Sequence, residues 1–415
     1  MGDKKRLAGI GGIAVLCLVL LSGAALLEQW RNRQTETDPG YGPAAKSLVT
    51  TFKGDARTSR AFTWYSEDPE SPGVLQLAQG SDAELLEKGD VQSIEADSSV
   101  IEVGEGRENG VHKVEVTGLN PGTDYVYRVG DGTEGGWSKP GVFTTEGEGE
   151  DSFTFLNVTD SQGASEADFA LWGETLDRAF AVFPDAKWIL HNGDLTEDPE
   201  DEAGWDAFFV NAATWINRIP LMPVTGNHDE VDKESARFTS HFNLPDNGAG
   251  KSAAGTTYSF DYGNAHIVVL NTESKIKTQT DWLRQDLRNT AKAWKIVAIH
   301  RPAYGGNMYE KIADWIDVFD EFGVDLVLQG HNHEYSRSFP LKDGEIVPEG
   351  EGTVYATTNA SGAKFNDKKE DQFYHAVHFQ NGKQMFAGIT VSGTTLTYRA
   401  YDVEGQLLDE FALRH

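Results

Sequence analysis

The sequence predicts an α/β domain that is preceded by an all-β sandwich and by an apolar segment at the amino terminus. Three observations support this organisation. Residues 47–145 contain short β-type runs that turn residues separate. Residues 151–340 contain apolar runs that end in polar loops, and helical patterns follow several of them. Residues 7–27 form an uncharged apolar stretch.

Length and charge restrict the possible classes of protein. The chain has 415 residues, which favours two or three domains. It carries 65 acidic and 36 basic residues, a formal net charge of −29. Because such a field repels phosphate backbones, no nucleic-acid binding is expected. The single cysteine, Cys17, excludes an internal disulfide framework and a thiolate metal cluster. Any metal would therefore be bound by nitrogen and oxygen.

The amino terminus has the pattern of a targeting segment. Residues 1–6 are basic, residues 7–27 are apolar and residues 28–46 form a polar linker. At a rise of ~1.5 Å per residue, the apolar run can cross a hydrocarbon core of ~30 Å. The basic flank would stay in the cytoplasm and the remainder would be exported. Two interpretations stay open: an anchor in the cell membrane, and a signal peptide that is cleaved after residues 22–24 to release a secreted protein.

The region 47–145 is typical of an all-β sandwich of about 100 residues. Tyr125, Tyr127 and Val129 alternate along one run, as in a strand with one buried face. No cluster of histidines or carboxylates stands out here, so we interpret the domain as a docking or spacer module. The six β-type runs are SLVTTF, RAFTWYS, GVLQLAQ, VHKVEVTGL, DYVYRVG and GVFTT.

The region 151–340 reads as a sheet that helices cover on both sides. Its β-rich runs are apolar on both faces, which favours burial inside a layered α/β domain. Residues 167–183 and 279–290 have helical patterns, and residues 341–415 form a β-rich carboxyl-terminal part. The apolar runs are FTFLNVTD, KWILHNGD, PLMPVTGNHD, WKIVAIH and VDLVLQGH.

The candidate site residues lie at the carboxyl ends of these apolar runs. Open α/β sheets place their sites along that edge. A lone Gly-Asp is usually a turn and a lone histidine is usually a surface residue, but the combined pattern D-x-Q, GD, GNHD, H and GHNH predicts a shared site. The candidate ligands are Asp160, Asp194, Asn227, His300, His331 and His333.

These residue types suit two adjacent cations such as Fe, Mn or Zn. Two ions ~3.5 to 4 Å apart need a bridging anionic group, which the Asp194 carboxylate can supply. His331 and His333 can each reach a different ion, and Asn227 adds a neutral ligand. Such a pair would lower the pKa of a bound water, direct it at phosphorus and neutralise the charge that develops.

His228 is the candidate general acid. It follows Asn227, and Asp229 beside it could orient the ring and keep it protonated. The alternative is a supporting role without proton transfer.

Four motifs, GDLTED, GNHDE, HRPAY and GHNHEYSRS, resemble those of the calcineurin-like metallophosphoesterases. The stretch TGLNPGTDYVYRVGDG is similar to the amino-terminal fibronectin type III-like domain of the purple acid phosphatase branch. The resemblance covers about residues 47–413. It implies an αββα sandwich catalytic domain and two divalent or mixed-valence metal ions.

The resemblance also implies a division of the ligands between two ions. Asp194 would bridge, and the sequence departs from the family at two positions. Glu197 stands where the purple enzymes carry a tyrosine, so the charge-transfer colour is not expected. Gln162 stands where other members carry a histidine, and it would be a weak ligand or would bind a metal-bound water. The first ion would have Asp160, Asp194 and His333, and the second would have Asp194, Asn227, His300 and His331.

Candidate substrate contacts lie in and after the HRPAY motif, residues 300–304. A histidine pair that plant-type members carry after this motif is absent, so Tyr304, Asn307 or Tyr309 would contact the substrate instead. Arg337 could steady a phosphate, with loop packing as the alternative.

The sequence therefore predicts an exported phosphomonoesterase that acts on small phosphate esters through attack of a metal-bound hydroxide, with His228 as the acid. The same two-metal site would also serve a phosphodiesterase or a nucleotidase. A surface binding protein with a structural metal site is the alternative that is not an enzyme.

Overall fold

The computed structural model describes residues 45–415. The segment 7–27, which we predicted as a signal anchor or signal peptide, lies outside the described residues. Within the described range, no helix combines the length and the hydrophobicity needed to cross a membrane.

The first domain is an all-β sandwich of two four-stranded sheets, with the strand orders β1-β2-β6-β5 and β4-β3-β7-β8. Trp64 and Phe62 from one sheet and Tyr127 from the other are buried between them. The predicted alternation in β7 is confirmed, since Tyr125, Tyr127 and Val129 all belong to this core. The elements are β1 (Lys46–Thr51), β2 (Ser59–Ser66), β3 (Val74–Gln79), α1 (Leu85–Lys88), β4 (Gln92–Glu95), β5 (Asp97–Glu102), β6 (Glu108–Thr117), β7 (Asp124–Gly130) and β8 (Gly141–Thr144).

The second domain contains two mixed sheets. The six-stranded sheet has the order β11-β10-β9-β21-β22-β23, in which β9, β10 and β11 are parallel. Its strands are β9 (Ser152–Val158), β10 (Ile189–His191), β11 (Leu221–Pro223), β21 (Met385–Ser392), β22 (Thr395–Asp402) and β23 (Leu407–Arg414). Since β21 pairs directly with β9, the β-rich carboxyl-terminal part completes this sheet.

The seven-stranded sheet has the order β12-β13-β14-β15-β19-β16-β20, in which β13, β14, β15 and β19 are parallel. Its strands are β12 (Tyr258–Tyr262), β13 (Ala265–Val269), β14 (Trp294–Ala298), β15 (Leu326–Gln329), β16 (Tyr335–Ser338), β19 (Val354–Thr357) and β20 (His375–Phe379). A small hairpin, β17 (Leu341–Lys342) and β18 (Glu345–Ile346), precedes β19.

Alternate residues of the central strands face two different cores. Ile267 and Ile296 join the core that the two sheets share, whereas Val268 and Val297 pack with residues of the helices α5 (Ile276–Asn289) and α6 (Ala313–Phe322). Two apolar faces per strand explain the continuous apolar runs in the sequence. The helices are α2 (Glu166–Val182), α3 (Glu202–Ile216), α4 (Ala236–His241), α5 (Ile276–Asn289) and α6 (Ala313–Phe322). The predicted α/β fold with an αββα arrangement is confirmed.

Helix α3 was not among the predicted helices. Asp201 caps it by accepting a hydrogen bond from the Ala203 N–H. Glu202 is buried, and it binds Lys46 of β1 and Arg237 of α4. The ion pair between Lys46 and Glu202 connects the β-sandwich to the second domain.

Candidate metal centre

The loops that follow five parallel strands bring the predicted ligands to one edge. Strands from both sheets contribute, so the site lies across the top of the sandwich. Asp160 follows β9, Asp194 follows β10, Asn227 follows β11, His300 follows β14, and His331 and His333 follow β15.

The ligands form two groups that share one carboxylate. Asp160, Asp194 and His333 offer ligand atoms within 4.8 Å of one another, and so do Asp194, His300 and His331. Asp194 thus occupies the position that a bridging ligand requires. The Asn227 Oδ1 atom lies 3.1 Å from the Nε2 atom of His300, which places this amide in the second group.

Backbone carbonyls fix the orientation of two of the histidines. The Nδ1–H of His300 donates to the Asn192 carbonyl at 2.8 Å, and that of His333 donates to the Lys364 carbonyl at 2.7 Å. The Nε2 atom of His300 then lies 3.2 Å from Asp194, and that of His333 lies 3.3 Å from Asp160. With Nδ1 engaged by a carbonyl, the Nε2 atom of each ring faces the site, which is the orientation that metal-binding histidines adopt.

The electrostatics of the site favour ionised carboxylates. Burial raises the pKa of Asp194, but the contacts with His300 outweigh burial and hold this pKa below its ordinary value. Burial opposes the charge on His300 as well, yet Asp194 raises the pKa of that imidazole to about 10. Bound cations could replace the proton on His300 as the counter-charge for these acids.

A buried amide oxygen supports the presence of a cation. Gln162 is 1% exposed, and its Nε2 donates to the Asp194 carboxylate at 3.3 Å. Its Oε1 atom is buried without a hydrogen-bond partner, which is costly unless a cation or a water molecule binds it. The residues present therefore fit an oxygen- and nitrogen-ligated metal pair, with Gln162 beside it.

Four of the predicted ligands adopt strained backbone conformations. Asp160, Asp194, His331 and His333 have φ values of 52°, 56°, 71° and 51°. Residues with side chains rarely occupy this left-handed region, and such strain concentrates at functional sites. The strained backbone positions therefore coincide with four of the predicted metal ligands.

Glycine is required before two of the ligands because neighbouring atoms leave no room for a side chain there. A Cβ atom on Gly226 would lie 2.3 Å from the Asp194 Oδ1 atom. A Cβ atom on Gly330 would lie 2.2 Å from the hydroxyl of Thr159, which donates to Asp160. These contacts explain why glycine precedes Asn227 and His331 in the GN and GH pairs.

The predicted role of Asp229 is wrong. Its carboxylate accepts the backbone N–H groups of Asp194, Leu195 and Gly226 at 2.8 to 3.0 Å. It therefore fixes the loops that carry Asp194 and Asn227 and does not orient the His228 ring.

His228 is oriented by Glu197 instead. Its Nδ1–H donates to the Glu197 carbonyl at 2.7 Å, and its backbone N–H donates to Asp194 at 2.8 Å. The Glu197 carboxylate lies 3.8 Å from the same ring and 3.6 Å from the Lys364 ammonium. Of the two departures from the family, Gln162 lies among the metal ligands and Glu197 lies at the rim.

Two of the predicted substrate contacts are wrong. Tyr304 is 6% exposed and packs against Tyr355 and Tyr374 in the core beneath the helices. Arg337 binds both carboxylate oxygens of Asp409, so loop and strand packing, the alternative we considered, is its role.

Asn307 stays a candidate for substrate contact. It is exposed, and its Oδ1 accepts a hydrogen bond at 2.6 Å from Asn332, which lies between the two histidines of the GHNH motif. Tyr309 lies below the Arg301 guanidinium, 5.2 Å from the ring centre.

Sequence reasoning missed Arg301. Its Nη1 group donates to the His331 Nε2 atom at 3.0 Å, and its Nε group lies 2.9 Å from the Glu273 carboxylate. It supplies a fixed positive charge next to the metal ligands. In the sequence, its position directly after the predicted ligand His300 could have indicated that it lies at the site.

A third group of potential ligands does not form a comparable site. Asp371, His375 and His378 lie close together, but both nitrogens of His375 are occupied. Its Nδ1 accepts the Gln372 N–H and its Nε2–H donates to the Gly305 carbonyl. No nitrogen of this ring is left for a metal.

Two family models match the described residues. The model "Purple acid Phosphatase, N-terminal domain" matches residues 45–145, and the model "Calcineurin-like phosphoesterase" matches residues 153–335. Together the two matches cover more than half of the chain.

Among curated relatives, acid phosphatase type 7 of Mus musculus is 29% identical over 57% of this chain and 58% of its own length. The chain thus spans less than two thirds of that relative. An uncharacterized protein of Mycobacterium tuberculosis is 27% identical over 82% of this chain and 72% of its own length.

Among solved structures, purple acid phosphatase PPD1 from yellow lupin (Lupinus luteus) superposes with a TM-score of 0.76. The match covers 89% of this chain and 74% of the lupin chain at 16% sequence identity. At that identity, the likeness concerns the fold.

Proposed function

Because this chain belongs to the calcineurin-like phosphoesterases, a family of metal-dependent phosphoric ester hydrolases, and carries the amino-terminal domain of the purple acid phosphatases, we propose that it hydrolyses phosphate monoesters. The observation that carries this proposal is the sharing of Asp194 between two groups of ligands within 4.8 Å. A single structural metal would need one group only.

We assign the two groups to a dinuclear centre of Fe, Mn or Zn ions. When bound, two such cations activate water and neutralise the charge of the phosphoryl group. Asp160 and His333 would hold one ion, and His300 and His331 would hold the other. Asn227 would join the second ion, and Gln162 would support the first through its free amide oxygen.

The chain's own residues supply the proton and a fixed charge. The Glu197 carbonyl holds the Nδ1–H of His228, which leaves the Nε2 atom to carry the proton that the leaving alkoxide needs. The Arg301 guanidinium, which Glu273 fixes from the other side, would face a dianionic phosphate next to His331. A doubly charged monoester gains more from this cation than a singly charged diester.

We also propose that the enzyme acts outside the cytoplasm, either membrane-anchored or secreted. The support is the apolar segment 7–27, which follows a basic flank. Protease treatment of intact cells tests this location, since an anchored enzyme should be digested while cytoplasmic proteins are protected. A secreted enzyme should instead be found in the culture medium.

The catalytic proposal is tested on matched esters. The metal-loaded protein should hydrolyse p-nitrophenyl phosphate with a higher kcat/KM than bis-p-nitrophenyl phosphate. Removal of metal by a chelator should abolish both activities, and Fe, Mn or Zn should restore them. A diester preference would identify a phosphodiesterase. Stoichiometric metal without turnover of any ester would instead favour the binding-protein alternative.

A further inference from the structure

An open surface cleft of about 310 Å³ is lined by lysines. We call it the lysine pocket. Its cationic residues are Lys233, Lys275, Lys277 and Lys311, and Glu273 and Tyr309 also line it. Its volume is within the range of small-molecule sites.

The lysine pocket and the metal centre share a wall. Glu273 lines the pocket and binds Arg301, whose guanidinium contacts the metal ligand His331 at 3.0 Å. Tyr309 lines the pocket as well and lies below the same guanidinium. A ligand that extends from the metal centre past Arg301 would therefore enter this pocket.

The pocket carries an excess of positive charge. Its four lysines are exposed, and none of them forms an ion pair with any carboxylate among residues 45–415. Glu273 is already neutralised by Arg301. Lys311 lies 5.4 Å from the ring centre of Tyr309, on which Arg301 also lies.

Such a cluster is unusual in a chain with a net charge of −29. Like charges at close range repel each other, and the first turn of α5, where Lys277 lies, contains no acidic residue to offset them. A bound anion would relieve this repulsion.

We propose that the lysine pocket binds a second phosphate group of the substrate. This inference rests on the proposed phosphomonoesterase activity and narrows its substrate class. The preferred substrates carry one phosphate ester at the metal centre and a further phosphate that reaches Lys275 and Lys277 beyond Arg301. Phosphates are the anions that ammonium groups bind as point charges.

The test compares substrates that differ by one phosphate. The metal-loaded full chain is assayed with fructose 1,6-bisphosphate against fructose 6-phosphate, and with adenosine 3′,5′-bisphosphate against adenosine 5′-monophosphate. The double variant Lys275→Gln/Lys277→Gln should raise KM about tenfold for the doubly phosphorylated member of at least one pair. It should leave KM for the singly phosphorylated member and kcat for both nearly unchanged.

A matched control distinguishes an effect of the lysine pocket from an effect of the overall charge of the protein. The double variant Lys88→Gln/Lys342→Gln removes the same charge from exposed lysines elsewhere, one of which is on α1 of the β-sandwich. This control should not change the ratio of the KM values for the doubly and the singly phosphorylated substrates. An equal KM rise for both members of each pair, an equal effect of the control, or no effect at all would overturn the proposal.

The outcome is distinguishable from a failure of the proposed function. If the wild type does not hydrolyse p-nitrophenyl phosphate, the catalytic proposal fails. Calorimetric binding of pyrophosphate still tests the pocket in that case, since the Lys275→Gln/Lys277→Gln variant should bind it about tenfold more weakly than the wild type. Equal binding by both proteins would contradict the pocket.

Discussion

Two buried histidines lie at opposite ends of the parallel strands of the seven-stranded sheet, and both contact carboxylates. His300 follows the carboxyl end of β14, and His266 lies near the amino end of β13. They are 0% and 7% exposed. In the sequence, both are histidines beside an apolar run.

Their second contacts differ. His266 donates from Nδ1 to Asp261 at 2.7 Å and from Nε2 to Asp286 at 2.8 Å, so both nitrogens bind acids. His300 gives one nitrogen to a backbone carbonyl and turns the other towards Asp194 and Asn227. A ring nitrogen that faces several potential metal ligands at once therefore distinguishes His300 from His266, whose two nitrogens each face one acid.

Replacement of one acid at each edge gives the largest expected contrast. Asp194→Ala should lower kcat/KM for p-nitrophenyl phosphate by more than about 10³-fold and remove bound metal, because both groups of ligands lose a carboxylate. Asp286→Asn should keep the activity and lower the melting temperature. The measurements are initial rates, metal content per chain and thermal unfolding. Full metal content in the Asp194 variant would remove the basis for a bridging ligand.

The next largest effect is expected for His228. His228→Ala should reduce kcat for an alkyl phosphate by about 10² to 10⁴-fold, because the poor leaving group needs its proton. The loss should be smaller for p-nitrophenyl phosphate, whose leaving group is stable as an anion. Metal content should not change. The same loss with both esters would indicate a supporting role without proton transfer.

The sequence allowed prediction of the ligands because each follows an apolar strand and belongs to a local motif. Glycines mark the close approaches at Asn227 and His331, and the parallel strands bring distant motifs to one edge. The covering of the sheet by helices followed from strands that are apolar on both faces, whereas the αββα arrangement was implied by the family resemblance. These features are local or periodic, so they can be read along the chain.

Roles that depend on contacts between distant residues could not be predicted in this way. Asp229 binds backbone N–H groups of another loop, which no side-chain pattern reveals. Arg337 is paired with Asp409 across 72 residues. Arg301 was adjacent to a predicted ligand, but its contact with His331 depends on how β14 and β15 pair.

A smaller effect is expected when the hydrogen bonds between Asp229 and the loops that carry the metal ligands are weakened. Asp229→Asn is nearly isosteric, but its amide replaces one acceptor of the Asp194, Leu195 and Gly226 N–H groups with a donor. We expect metal affinity to fall by about 10- to 100-fold. Activity at saturating metal should largely recover. If Asp229 instead orients His228, the variant will show the leaving-group dependence of His228→Ala, and excess metal will not restore activity.

The smallest expected effect is a pH-dependent change in the free energy of unfolding caused by His266, near the amino end of β13. Burial lowers the pKa of His266, but Asp261 and Asp286 outweigh burial and raise it to about 9. A raised pKa stabilises the fold fully below the unfolded pKa of about 6.5, and this contribution is lost as the pH rises through about 9. His266→Gln should therefore destabilise the protein by on the order of 2 kcal/mol more at pH 6 than above pH 9, measured by urea unfolding.

His112 of the β-sandwich provides a control with the opposite sign. Its ring nitrogens contact the hydroxyls of Ser66 and Ser98, and burial lowers its pKa to about 4. Its neutral form stabilises the fold above the unfolded pKa of about 6.5, and this contribution is lost as the pH falls towards about 4. The stability difference between wild type and His112→Gln should thus change below pH 6.5, and that for His266→Gln above it. A difference that does not depend on pH for His266→Gln would mean that this histidine is not charged, and the contrast with His300 would then rest on geometry alone.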